Sequence, residues 1–225
     1  MRRYLDRRDA GRELASLLGR YAGEDVVVLA LPRGGVPVAD EVARELGAPL
    51  DVLIVRKLGV PGHEELAMGA LASGGVQVLN QGVIDELRIP HSAIAAVVAR
   101  EERELWRREQ AYRGGRPPVE VAGRSIILVD DGLATGSTMR AAVEGLRRRG
   151  PRRIAVAVPV AATQTCEALA GEVDDILCAQ TPEPFLAVGL WYQDFGQTTD
   201  EEVREVLEEA ARRTEARAGA GEGAP

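Results

Sequence analysis

Histidine and cysteine are nearly missing from this 225-residue chain, two of each, and with them the clusters that build metal centres or disulfide frameworks. Cys166 and Cys178 alone support neither, so a reducing cytoplasm is the simplest setting. Aromatic side chains are scarce at 4%, which gives weight to any place where they gather. Basic charge is in deficit: 28 Lys and Arg against 35 Asp and Glu leave −7, which argues against a general nucleic-acid or membrane-surface binder. The N-terminal MRRYLDRRDAGREL has no apolar signal-peptide core, and no window approaches the roughly 20 apolar residues of a membrane span. Three motifs are absent as well. No G-x-x-x-x-G-K-[ST] loop occurs, no G-x-G-x-x-G follows the first strand, and there is no G-x-S-x-G elbow. Kinase-like, dehydrogenase-like and serine-hydrolase readings lose their main support.

What is present centres on Ser125–Met139, SIILVDDGLATGSTM. A buried-type apolar strand ends in two carboxylates, Asp130 and Asp131, and a Gly-punctuated turn follows with the hydroxyls of Thr135, Ser137 and Thr138. A helical pattern then starts, with Met139, Ala142, Val143 and Leu146 on one side. Amides of Ala134–Thr138 at a helix N-terminus can converge on a phosphate. The acids before them suit sugar hydroxyls or a divalent cation, directly or through water.

Elsewhere strands and helices alternate. A helix over residues 7–21 precedes a strand at Val26–Leu31, a sharp Pro32-Arg33-Gly34-Gly35 loop, a helix stopped at Gly47 and a strand at Leu50–Val55. Residues 56–65 carry charges without periodicity and read as a long exposed loop where a lid would sit. Leu66–Leu71 and Val76–Leu79 around Ser73-Gly74-Gly75 read as a β-hairpin. A long helix from about Ser92 to Tyr112 carries Trp106 in its charged half. Beyond the central stretch come a strand at Ile154–Val158, a helix at Thr163–Ala170 and a strand at Asp175–Cys178. Four of the eight aromatics lie between Phe185 and Phe195. Thr198 or Thr199 caps a last helix, with Glu201 or Glu202 completing a capping box. This order predicts a doubly wound α/β domain whose loops at 32–35, 56–65 and 130–138 share one edge of a parallel sheet.

Leu128–Thr138 resembles the phosphoribosyl-pyrophosphate (PRPP) motif of type I phosphoribosyltransferases: apolar strand, two acids, a short spacer, then Thr-Gly-x-Thr. Pro32–Gly35 resembles that family's pyrophosphate loop, Arg56-Lys57 with His63 its flexible lid, and residues 181–195 its C-terminal hood. The similarity spans about residues 5–210, and the best match is a branch of predicted phosphoribosyltransferases with an unassigned acceptor.

The resemblance implies one α/β domain over 1–217, with a hood at about 180–198, a C-terminal helix at about 200–217 and a disordered tail at 218–225. It implies Mg²⁺ and transfer of 5-phosphoribose to a nitrogenous, nucleobase-like acceptor in the cytoplasm. Asp130 and Asp131 would be catalytic and reach the metal, through water if not directly. Ala134, Thr135, Gly136, Ser137 and Thr138 would bind the 5-phosphate, and Arg33, Gly34, Gly35, Arg56, Lys57 and His63 the pyrophosphate. For His63 an unpartnered exposed position stands as the equal alternative.

Phe185, Trp191 and Tyr192 are the acceptor candidates, and packing into a ring-poor core is the alternative for each. A non-proline cis peptide is expected at Arg33–Gly34. Gly132, where many relatives place an aliphatic residue, is expected to loosen the loop. Ala134 argues against 6-oxopurines without selecting another acceptor. Competing readings are a PRPP- or nucleotide-sensing regulator and a phosphoribosyl hydrolase. Family members are commonly homodimers, with Trp106 or the hairpin 66–79 as candidate interfaces here.

Overall fold

The computed structural model describes residues 2–221. Its centre is a five-stranded, all-parallel sheet of β1 (Val26–Ala30), β2 (Leu50–Val52), β6 (Ser125–Val129), β7 (Arg153–Val160) and β8 (Asp175–Gln180), in the order β2-β1-β6-β7-β8. Every residue of β1 and β6 is buried, which is why Val26–Ala30 and Ile126–Val129 are unbroken apolar runs rather than alternations. Successive side chains serve opposite layers. Val26, Val28 and Ala30 face a core shared with α1 (Arg7–Leu17), α2 (Gly35–Leu46) and the C-terminal helix α7 (Asp200–Gly221). Val27 and Leu29 face α5 (Ser137–Arg147) and α6 (Thr163–Ala170).

The chain winds outward in two directions from the β1–β6 boundary, to β2 on one side and through β7 to β8 on the other. Loops leaving the carboxyl ends of β1 and β6 therefore lie side by side at that boundary, the usual ligand position in such sheets.

The segment expected as a long loop at 56–65 is a paired arm. β3 (Val55–Val60) and β4 (His63–Ala72) run antiparallel, and β5 (Val76–Leu79) completes a separate three-stranded sheet. Pro61-Gly62 turns the chain, with Gly62 at φ 79°, a conformation that glycine adopts without Cβ strain. The arm is anchored: Leu58, Val60, Met68 and Leu71 join the core that also holds Ile94, Val97 and Val98 of α4 (His91–Arg113). Residues 61–67 are the longest continuous run of the arm that projects into solvent, so lid-like freedom belongs to the tip. The same pairing divides the strand expected at Leu50–Val55 into the end of β2 and the start of β3.

Cys166 and Cys178 are joined as a disulfide between α6 and β8. Two cysteines cannot form a framework but can form this single bond, and it departs from the reduced pair expected of a cytoplasmic chain. The last helix opens with the expected capping box: Glu202 N donates to Thr199 Oγ1 (3.1 Å), and Thr199 N donates to a Glu202 carboxylate oxygen (2.6 Å). It continues past 217 to Gly221, and 222–225 lie outside the described residues. Among the described residues no helix is long and apolar enough to cross a membrane. Trp106 is 63% exposed on α4.

Candidate functional site

The loops at 32–35 and 130–138 meet at glycines. Gly34 lies so close to Asp131 that any Cβ there would overlap the Asp131 carboxylate, and a Cβ on Gly35 would come within 2.8 Å of the Val129 carbonyl. Glycine at both positions lets the 32–35 backbone pack against the acidic strand end. The non-proline cis peptide of this loop is Pro32–Arg33, one bond earlier than expected. Gly34 already has helical dihedrals (φ −60°, ψ −34°) as the residue capping α2, so the chain changes direction ahead of it.

Asp130 and Asp131 are half-buried. Asp130 Oδ1 accepts from the Asp131 amide at 2.8 Å. Burial and the neighbouring Asp131 push the Asp130 carboxyl well above the usual carboxylate range, with Arg7 pulling the other way. Burial raises Asp131 too, again opposed by Arg7. Arg7 is a site residue that the sequence did not single out. Its Nε donates to Asp131 Oδ2 (2.8 Å), its Nη1 donates to the Gly196 carbonyl (2.6 Å), and its guanidinium lies over the Phe195 ring, 4.0 Å from the centroid. Ala134, Thr135, Ser137 and Thr138 are exposed beyond the acids. Gly136 is left-handed (φ 75°) as the N-cap of α5 and supplies no side-chain cap, which leaves the first-turn amides open to an anion. The hydroxyls of Thr135 and Ser137 stand 3.3 Å apart. From below, Thr165 Oγ1 on α6 donates to the Ala134 carbonyl at 2.6 Å.

The basic residues are less assembled than the acids and amides. Arg33 pairs with Asp200 (3.3 Å), which also accepts from the Tyr112 hydroxyl (2.9 Å). Arg56 directs both Nε and Nη2 at Glu101 on α4 (2.9 and 2.6 Å), and Lys57 lies 3.4 Å from Glu65. Burial works against the Glu101 anion, but Arg56 and Arg100 hold its pKa below the ordinary value. His63 is exposed at the arm tip. In this state the loop glycines, the acids and the phosphate-type loop come together, while the cations sit on carboxylates around them.

The hood divides by role. Tyr192 is buried to 1% between Tyr4 (centroids 5.6 Å apart) and Phe195 (5.0 Å), and its hydroxyl donates to the Asp131 carbonyl at 2.6 Å. It is a strut for the acid loop, and burial leaves it no face for an acceptor. Trp191 is half-buried, and its Nε1–H is enclosed without a partner. Phe185 is half-buried and lines a cleft with Ala134 and Thr135. Gly132 does not loosen the loop: a Cβ there would strike Val188, so its small size is what lets the hood seat. The hood also includes the N-terminus, since Tyr4 N donates to the Trp191 carbonyl (2.9 Å) and Gln193 N to the Tyr4 carbonyl (2.8 Å).

A doubly wound sheet carries an acid pair and an uncapped helix N-terminus at its switch point, a combination whose open amides and carboxylates sit side by side. The family profile described as "Phosphoribosyl transferase domain" matches residues 3–183, and the chain belongs to that family. It is similar to a Mycobacterium tuberculosis (strain CDC 1551 / Oshkosh) protein named "Putative phosphoribosyl transferase MT0597", 47% identical over 212 residues, 94% of this chain and 48% of that protein. The chain thus spans about half the length of the first curated relatives it matches. It is also similar to the uracil phosphoribosyltransferase of Lactobacillus gasseri, 30% identical over 173 residues, 74% of this chain and 80% of that one. Among solved structures, TT1426 from Thermus thermophilus superposes with a TM-score of 0.81 at 46% identity, over 93% of this chain and 99% of that one.

Proposed function

We propose that this protein binds PRPP with Mg²⁺ and transfers 5-phosphoribose to a nitrogenous acceptor, releasing pyrophosphate. The observation that carries the reading is the junction where Gly34 has room only for hydrogen against Asp131, beside the open amides of α5. Residues 134–138 grip the 5-phosphate through those amides and the hydroxyls of Thr135, Ser137 and Thr138. Asp130 and Asp131 hold the ribose hydroxyls and stabilise positive charge that develops on the ring as the bond to pyrophosphate breaks. The backbone of Gly34 and Gly35 with Arg33, Arg56, Lys57 and the tip residue His63 receives the pyrophosphate, and Phe185 and Trp191 offer ring faces to the acceptor.

Among the described residues no group of three or more His, Cys, Asp or Glu side chains could hold a metal. Two carboxylates alone suit Mg²⁺ that arrives on its substrate and keeps water and phosphate ligands. Asp130 and Asp131 would hold such an ion, directly or through water, and it would supply charge neutralisation for the departing pyrophosphate.

Calorimetry with PRPP and Mg²⁺, followed by pyrophosphate release with a panel of bases, tests the proposal. Release dependent on one base and abolished in the Asp130→Asn/Asp131→Asn protein is the expected result, and absence of PRPP binding refutes it. The pairing of Arg33 with Asp200 and of Arg56 with Glu101 favours one alternative, a regulator that binds PRPP without turnover. Binding with no release for any base would select it, and release without a base would select a hydrolase.

A further inference from the structure

The cleft beside the phosphate loop has a one-sided charge. Its walls are Ala134 and Thr135, residues 162–165 at the start of α6, and hood residues 182–186. No lysine, arginine or histidine lines it, and its one ionisable side chain is Glu183. Asp131, Asp200 and Glu101 each have an arginine partner, in Arg7, Arg33 and Arg56. Glu183 is exposed and, among the described residues, has neither an ion-pair nor a hydrogen-bond partner. The same hood segment carries the half-buried Phe185 and Leu186, which is 77% exposed, an uncovered apolar wall. The amides at the start of α6 offset about half an elementary charge, against a full one on Glu183.

Resting on the phosphoribosyl-transfer reading, we infer that the acceptor is an uncharged, amino-bearing nitrogen heterocycle whose exocyclic N–H donates to Glu183 while its ring lies against Phe185 and Leu186. A carboxylate-bearing acceptor would bring like charge to Glu183 with no cation in the cleft to receive it. In the transfer, the lone pair of a ring nitrogen forms the bond to the anomeric carbon. The bond from that carbon to the pyrophosphate oxygen breaks, and its electron pair leaves with pyrophosphate. The proton shed by the nitrogen passes to water in the open cleft. Glu183 reads a group that does not react, so it determines specificity and is not the base.

The test compares wild type with Glu183→Gln, measuring PRPP affinity by calorimetry and pyrophosphate release with adenine, uracil and orotate. In the wild type, kcat/KM for adenine exceeds that for orotate by at least about tenfold, with uracil between them. Glu183→Gln leaves the PRPP Kd within about twofold and lowers kcat/KM for adenine about tenfold, because the Gln oxygen still accepts but no longer carries the charge that strengthens the bond. Uracil, which has no exocyclic amine, changes little. Orotate preferred over adenine, adenine turnover indifferent to Glu183→Gln, or PRPP bound with no base consumed each overturn the inference while leaving PRPP recognition standing. No PRPP binding overturns the transfer reading itself and this inference with it.

Discussion

Arg7→Met tests whether Arg7 holds the acid pair in its charged, assembled form. The substitution keeps an apolar stem over Phe195 but removes the ion pair to Asp131 Oδ2 and the bond to the Gly196 carbonyl. The paired side chains are 12% and 15% exposed, so the loss lies between the 0–1 kcal/mol of a surface pair and the 3–5 kcal/mol of breaking a buried one. Adding the charged hydrogen bond gives about 3 kcal/mol at pH 8, roughly 6–12 °C in Tm for a chain of this size. Asp131 is already raised by burial, and without Arg7 it rises further. A carboxyl raised in the native state holds a proton there that the unfolded chain lacks. Stability therefore increases as pH falls from the raised native pKa toward the ordinary carboxylate value. That window opens at higher pH in the variant, so its deficit shrinks as pH drops from 8 to 5. Urea unfolding at both pH values checks this. A deficit below about 0.5 kcal/mol at pH 8, or one of equal size at both, refutes the assignment.

Three further substitutions probe neighbouring contacts. Asp130→Asn keeps the oxygen that accepts from the Asp131 amide but removes a charge that burial disfavours, so Tm at pH 8 rises by the equivalent of about 1 kcal/mol while PRPP binding is lost. Scanning fluorimetry with and without PRPP shows both, and a lowered Tm counts against it. Gly34→Ala forces Asp131 off its present position, costing about 1–3 kcal/mol, and calorimetry should find PRPP affinity weakened at least about tenfold. Tyr192→Phe keeps the ring packing and loses the 2.6 Å bond to the Asp131 carbonyl. It costs about 1–2 kcal/mol in urea unfolding, and a loss below about 0.5 kcal/mol counts against the hydroxyl as a strut for the acid loop.

The sheet was legible because its central strands are buried on both faces and so are apolar throughout; Val26–Ala30 and Ile126–Val129 could hardly be anything else. The arm was not, because its exposed half, His63-Glu64-Glu65, is polar on consecutive positions and hides the period of two. Its turn signal was nevertheless present in Pro61-Gly62, flanked by Val60 and His63, which pair across it. The disulfide joins a helix to a strand 12 residues on, a proximity that spacing alone does not reveal. Arg7 is one of five arginines among the first 12 residues, and only folding brings it to an acid 124 positions away.

The acid-and-hydroxyl loop could be read as a unit because its chemistry is contiguous in sequence, but the hood's effect on that loop is purely tertiary. Several hood contacts converge on residues 131–132: Val188 over Gly132, the Tyr192 hydroxyl on the Asp131 carbonyl, and Phe195 and Gly196 on Arg7, which grips the Asp131 carboxylate. The 134–136 turn is supported separately from α6, through Thr165 beneath the Ala134 carbonyl and against Gly136. A displacement of segment 188–196 is therefore transmitted first to the acids that hold ribose in the proposed reaction, and only secondarily to the 5-phosphate grip. In that arrangement the missing side chain at Gly132 and the buried Tyr192 hydroxyl make the hood and the acid end of the loop one packed unit, while the 134–136 turn answers to α6.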